Sequence, residues 1–137
     1  MTFNPTVLFD AYISINANVI SDHGNKLEIP VKAEGKDATT FGQTWKVRRG
    51  GLKDGNLNIT LLNDYDAANI DAIMWPLVGL VVPFEARVSS AAVGPANPKW
   101  TGSIFIEEWK PISGKVGDLV EVDVSFPTSG AVVRATA

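Results

Sequence analysis

Phe9, Ala11, Ile13 and Ile15 alternate with Asp10, Tyr12, Ser14 and Asn16, the two-residue period of a strand that turns one face to a core. Residues 18–22 extend this strand past a bend at Ala17, and Asp22, His23, Gly24 and Asn25 then carry a turn signal. Leu27, Ile29 and Val31 resume the alternation. Pro30 places that strand near an edge or a bulge, because proline donates no ladder hydrogen bond. Between 34 and 51 the alternation lapses and four glycines intervene, which predicts a loop of about 15 residues, long enough to be a functional suspect. Leu57, Ile59 and Leu61 alternate with Asn58 and Thr60 as a further strand.

One helix is predicted next. Ile70, Ile73, Met74 and Leu77 recur at three- and four-residue spacing, Asp64 or Asp66 is placed to cap the first turn, and Pro76 and Gly79 end it. Leu80, Val82, Phe84, Ala86 and Val88 then oppose Glu85, Arg87 and Ser89 in a strand of up to ten residues. The Gly- and Pro-bearing stretch 90–99 is irregular, 100–109 and 119–126 pair as strands, and 131–135 is short enough for an edge. Six to eight strands with a helix between the fourth and fifth predict a mainly β fold, a β-sandwich or open barrel with one flanking α-helix. The length of 137 residues suits a single domain over 1–137.

Composition narrows the function classes. Charged residues make up 20% of the chain and the formal net charge is −3, so the isolated chain has no basic excess for broad phosphate neutralisation. The absence of cysteine removes disulfides, thiolate metal sites and a cysteine nucleophile, and suits a reducing cytoplasm. No stretch has the length of a membrane span, the longest apolar run being broken by Pro83, and the N-terminus lacks a signal-peptide pattern.

Candidate chemistry is sparse. A serine–histidine–acid triad would have to use His23, the one histidine, whose setting reads as an exposed turn. Glu107 and Glu108 are neighbours and on a strand would point to opposite faces, whereas Glu121 and Asp123 share one face, either as an ordinary hydrophilic surface or as an acidic channel lining. Asp64 and Asp66 lack the remaining ligands of a calcium loop, and Gly50-Gly51 lacks the lysine of a phosphate cradle. No catalytic, cofactor or metal site is therefore expected, and the chain is not expected to be an enzyme. Lys46, Arg48, Arg49 and Lys53, interleaved with Trp45 and Val47, read as a solvated loop, a nucleic-acid contact or a contact with an acidic surface of another subunit. Trp75 is expected to pack inward beside Met74, and Trp100 and Trp109 to stand at the two ends of one strand.

The order of landmarks resembles the major tail (tail tube) proteins of long-tailed bacteriophages. The pieces that carry the resemblance are Ala38-Thr-Thr-Phe-Gly42, the strand ending in Asp64, the single helix, Pro95-Ala-Asn-Pro-Lys-Trp-Thr-Gly102 and Ser129-Gly-Ala-Val-Val-Arg-Ala-Thr136, together spanning about residues 7–136. The resemblance implies a tail-tube-like sandwich assembling as stacked hexameric rings that form the channel for genome ejection. It further implies an inter-ring loop at about 34–51, with Thr39, Thr40, Phe41, Trp45, Lys46, Arg48 and Arg49 as contacts. The lumen would be lined by Glu121 and Asp123 or by Glu85 and Arg87. Six chains at −3 would give −18 per ring, so that double-stranded DNA passes without binding. Tail terminator, tape-measure and tail-tip proteins would be the other partners, with no membrane and no cofactor, and the chain would reside in the virion tail after assembly in the host cytoplasm. The competing reading is a monomeric β-sandwich module that binds carbohydrate or another ligand through the tryptophans.

Overall fold

Residues 2–137 are described by the computed structural model. Nine strands form: β1 (Tyr12–Ile15), β2 (Asn18–Val19), β3 (Gly24–Glu28), β4 (Val31–Asp37), β5 (Arg48–Leu62), β6 (Val81–Arg87), β7 (Lys99–Phe105), β8 (Glu121–Pro127) and β9 (Val133–Ala135). A short helix α1 (Ile70–Met74) runs into a 3-10 turn at Trp75–Leu77. One antiparallel sheet has the order β2-β1-β6-β7-β9. In the other, β5 pairs with β3 and β8 along its inner half and with β4 along its outer half. A bridge between Ile104 and Thr128, with Ser129 N–H donating to the Ser103 carbonyl at 2.9 Å, stitches the two sheets at one corner. The result is a mainly β sandwich, partly closed like a barrel, with one helix beside it.

The core forms where the alternating apolar positions of the two sheets face each other. Ile13, Ile15, Val82, Phe84, Ala86 and Ile104 come from one sheet, and Leu57, Ile59, Leu61, Val122, Val124 and Phe126 from the other. Ile70, Met74 and Leu77 close one side of this layer, as their helical spacing requires. Phe126 is wholly buried, and Phe126→Ala should cost roughly 3–5 kcal/mol through lost transfer energy plus the cavity left behind. Urea unfolding measures this, and a loss below about 1 kcal/mol would mean that the site collapses around the smaller side chain. Gly102 is required by close approach: a Cβ there would lie 3.0 Å from the Ala131 carbonyl oxygen and 3.1 Å from Phe84 Cε1.

Several expectations are corrected. The first strand begins only at Tyr12, and Phe9 is 91% exposed. It does not continue past Ala17, because Asn16 and Ala17 adopt φ of 51° and 66° and close a two-residue hairpin, whose central residues need positive φ to match the strand twist. With β2 added and β3 split from β4, the helix falls between the fifth and sixth strands rather than the fourth and fifth. The split occurs at Ile29-Pro30. Glu28 pairs with Asn58 and Val31 with Gly55, so the register against β5 continues across the gap, and Asn56 N–H donates to the Pro30 carbonyl.

Neither Asp64 nor Asp66 caps α1. Asn69 holds the cap position without a side-chain bond, while the Asp64 carboxylate accepts from the Asp66 N–H at 3.1 Å and the Asn69 amide at 2.8 Å. The strand expected over 100–109 ends at Phe105, so Glu107 and Glu108 lie off the sheets. Leu119 is exposed ahead of β8.

Candidate functional site

The largest departure from the sequence reading is also the most prominent surface feature. The expected long loop over 34–51 is paired backbone at both ends: β4 runs to Asp37, β5 begins at Arg48, and residues 38–47 connect them as a loop. All of β4 and most of β5 before Gly55 are exposed. With neither face against a core, these strands carry no apolar alternation, which is why the pattern resembles a loop. The product is a two-stranded ribbon projecting from the sandwich. An isolated ribbon is marginally stable in water, and this one is held by the continuation of β5 into the packed sheet.

Five of the predicted contact residues, Thr39, Thr40, Phe41, Trp45 and Lys46, lie at the ribbon tip, and Arg48 and Arg49 lie in β5 opposite Asp37 and Lys36. Phe41 is fully exposed and Trp45 is 84% exposed. The tip nevertheless has a defined latch. Ala38 N–H donates to the Val47 carbonyl at 2.7 Å, Val47 N–H to Thr39 Oγ1 at 2.8 Å, and Thr39 N–H to Asp37 Oδ1 at 2.9 Å. Hydrogen bonds from the Thr39 side chain and then its backbone hold the Asp37 carboxyl below its ordinary value of 3.8.

Because the folded value is depressed, the latch is complete above 3.8 and is lost as pH falls through the lower folded value. The Thr39 and Val47 amide resonances should therefore shift together in an acid titration with a midpoint below 3.8. Independent shifts would show that the latch is not one unit.

The two nominated carboxylate sets lie on opposite outer faces. On β8, Glu121, Asp123 and Ser125 point outward while Val122, Val124 and Phe126 are buried. Their neighbours are polar: the Thr60 hydroxyl donates to Asp123 Oδ1 at 3.2 Å, and the Asn58 amide to Glu28 Oε1 at 3.2 Å. Among the described residues Glu121 and Asp123 enter no ion pair. Glu85 and Arg87, on the outer face of the other sheet, pair with each other at 2.6 Å, and the guanidinium lies 4.1 Å from the Tyr12 ring centroid. Mutual neutralisation leaves that face with little net field, so the two sets cannot serve one lining.

His23 is corrected from an exposed turn residue to a partly buried one, its ring between Asp22 at 2.9 Å and Asp64 at 3.5 Å. The Asp66 backbone N–H is the main cause that lowers the Asp64 carboxyl, and burial opposes it. Trp75 is 63% exposed, contrary to the inward packing expected of it, whereas Trp109 is buried and its indole N–H donates to Asp71 Oδ1 at 3.2 Å. Trp45 on the ribbon, Trp75 beside α1, Trp100 on β7 and buried Trp109 do not form one stacking platform. Among the described residues no group of three or more His, Asp or Glu converges on a metal position, and no helix is long and apolar enough to cross a membrane.

A chain of a virion shares this fold. It belongs to a structure described as the virion of a native gene transfer agent particle, superposes with a TM-score of 0.70, and is 16% identical over 92% of this chain and 95% of its own length. At that identity the likeness is one of fold. No protein-family model and no curated protein matches the sequence.

Beside that shared fold, one surface escaped the sequence reading. Val78, Leu80, Val81 and Phe105 are exposed next to Trp75. Val81 and Phe105 are cross-strand partners on the outer face, and Leu80, whose carbonyl accepts from Ile106 N–H at 3.0 Å, precedes Val81, so these exposed residues lie at one end of the sheet. Helical spacing was the available signal: Ile70, Met74 and Leu77 take the buried face, so Trp75, one residue past Met74, is turned about 100° away from it. Charge is also polarised. Residues 31–55 hold six Lys and Arg against three Asp and Glu, while 62–81 with 105–121 hold seven Asp and Glu against two Lys.

Proposed function

We propose that the chain is a structural subunit of a phage-like virion, specifically of a tail tube, assembling as stacked hexameric rings around the channel for genome ejection. The observation that carries this reading is the exposed ribbon, because a two-stranded projection with an aromatic, basic tip gains nothing for the isolated sandwich and acquires a purpose when a neighbouring copy covers it. The fold shared with a gene transfer agent virion chain supports the same conclusion. Thr39, Thr40, Phe41, Trp45, Lys46, Arg48 and Arg49 then make the inter-ring contact.

Ring closure uses sheet edges. β8 is seven residues long and, among the described residues, pairs along its length only with β5, so its other edge can accept a strand-bearing edge from the next copy. The face carrying Glu121, Asp123 and Glu28 lines the channel, since its carboxylates repel phosphates and, among the described residues, enter no ion pair, unlike Glu85 with Arg87. In this reading the chain catalyses nothing, takes no cofactor, contacts DNA only in passage, and meets the tail terminator, tape-measure and tail-tip proteins at the tube ends.

The test is negative-stain electron microscopy of the purified chain across a concentration series, with light scattering for smaller oligomers. Rings or tubes with a central channel are the expected result. Monomers at every concentration would favour the binding-module reading instead.

A further inference from the structure

The ribbon tip needs an acceptor, and two of the exposed apolar surfaces lie on or beside the sheet of β1, β6 and β7. One is a groove of about 480 Å³ lined by Leu27, Ile29, Val31, Val88 and Trp100 together with Arg87. Val31 begins β4, so this groove lies at the root of a copy's own ribbon, and Arg87 there is already paired with Glu85, so the groove offers the basic tip no counter-charge. The other is the exposed area of Trp75, Val78, Leu80, Val81 and Phe105. It is adjoined in the chain by Asp71, Glu107 and Glu108, of which, among the described residues, only Glu108 has a cation within 4 Å, Lys110 at 3.6 Å.

Resting on the tube reading above, we propose that this second area is the acceptor: Phe41 and Trp45 of one copy dock on Trp75, Val78, Leu80, Val81 and Phe105 of a second copy, with Lys46, Arg48 and Arg49 against Asp71, Glu107 and Glu108. Aromatic side chains supply large contact area on both sides, and opposite charges fix orientation. The two surfaces are different parts of the chain, so the contact is heterologous. A copy that gives its tip still has its acceptor free. Repetition therefore extends a stack without closing it, which two identical patches meeting face to face could not do.

The absence of cysteine allows a clean test. Thr44→Cys and Val78→Cys copies, mixed under assembly conditions and treated with a short bismaleimide, should give a crosslinked dimer that neither variant gives alone. In sedimentation assays Arg48→Glu/Arg49→Glu and Glu107→Lys/Glu108→Lys should each reduce pelletable assembly at least tenfold. The quadruple variant, with the charges exchanged, should recover most of it. All four positions are exposed, and circular dichroism confirms that each variant is folded.

Wild-type assembly by Glu107→Lys/Glu108→Lys, or crosslinking of Thr44→Cys copies only among themselves, overturns the acceptor assignment and leaves the tube reading standing. Failure of the unmodified chain to assemble at any concentration overturns both.

Discussion

Replacing residues 38–47 by an Asn-Gly turn is expected to abolish polymerisation while leaving the sandwich folded. Asp37 and Arg48 are already paired at the end of the ribbon, so a two-residue hairpin turn, for which Asn-Gly is the favoured pair, joins them without altering register. The exchange removes Phe41, Trp45 and Lys46 and the latch of Thr39 with Val47. None of the ten residues is buried. The stability change should therefore stay within the range of about 0.5 kcal/mol seen for surface changes, and the urea midpoint should move little.

Assembly responds differently, because the largest exposed aromatic area of the ribbon is gone and every copy in the stack loses the same contact. Sedimentation and electron microscopy should find only single rings or smaller species at concentrations where the unmodified chain forms tubes. Tubes of normal length at the normal concentration would mean that the tip makes no inter-ring contact.

The sandwich was legible wherever a strand has one wet face. Leu57, Ile59 and Leu61, then Val82, Phe84 and Ala86, then Val122, Val124 and Phe126 alternate because the core lies on one side of each, and all are buried as the alternation requires. The ribbon was legible only as a gap in the pattern. Its strands are wet on both faces, and what pairs them is backbone hydrogen bonding that every residue but proline can make. Its glycines reinforced the false reading of a loop. Gly35 and Gly50 are strand partners, next to a register shift between Ala33 and Gly35.

Hairpin geometry misled in the same way at Asn16 and Ala17, since alanine at positive φ is uncommon and the sequence carries no glycine there. Of the candidate site, the tip residues were found because aromatic and basic side chains are conspicuous in a polar stretch. The Trp75, Val78, Leu80, Val81 and Phe105 area was missed, because apolar residues in an element that is partly buried read as core.

Reversing Glu121 and Asp123 tests the other half of the proposal, the channel lining. Both side chains are exposed on β8, so Glu121→Lys/Asp123→Lys removes only the Thr60–Asp123 hydrogen bond and should leave the chain folded and able to assemble. Each copy gains four units of positive charge, taking a six-copy ring from −18 to +6. Tubes of this variant should retain short duplex DNA at low salt and release it as salt rises, with the log–log dependence expected of counterion release. Tubes of the unmodified chain should retain little.

Position decides the interpretation. DNA held inside a closed channel is shielded from nuclease along the length of the tube, whereas DNA on an outer surface is cut. Protected fragments are the expected outcome, and in particles the same change should slow or stall genome release. Bound but nuclease-sensitive DNA would put β8 on the outside of the tube. The face of Glu85 and Arg87, where the charges already cancel, would then be the one turned to the channel, and the neutral Glu85–Arg87 pair would have to be the feature that lets DNA pass.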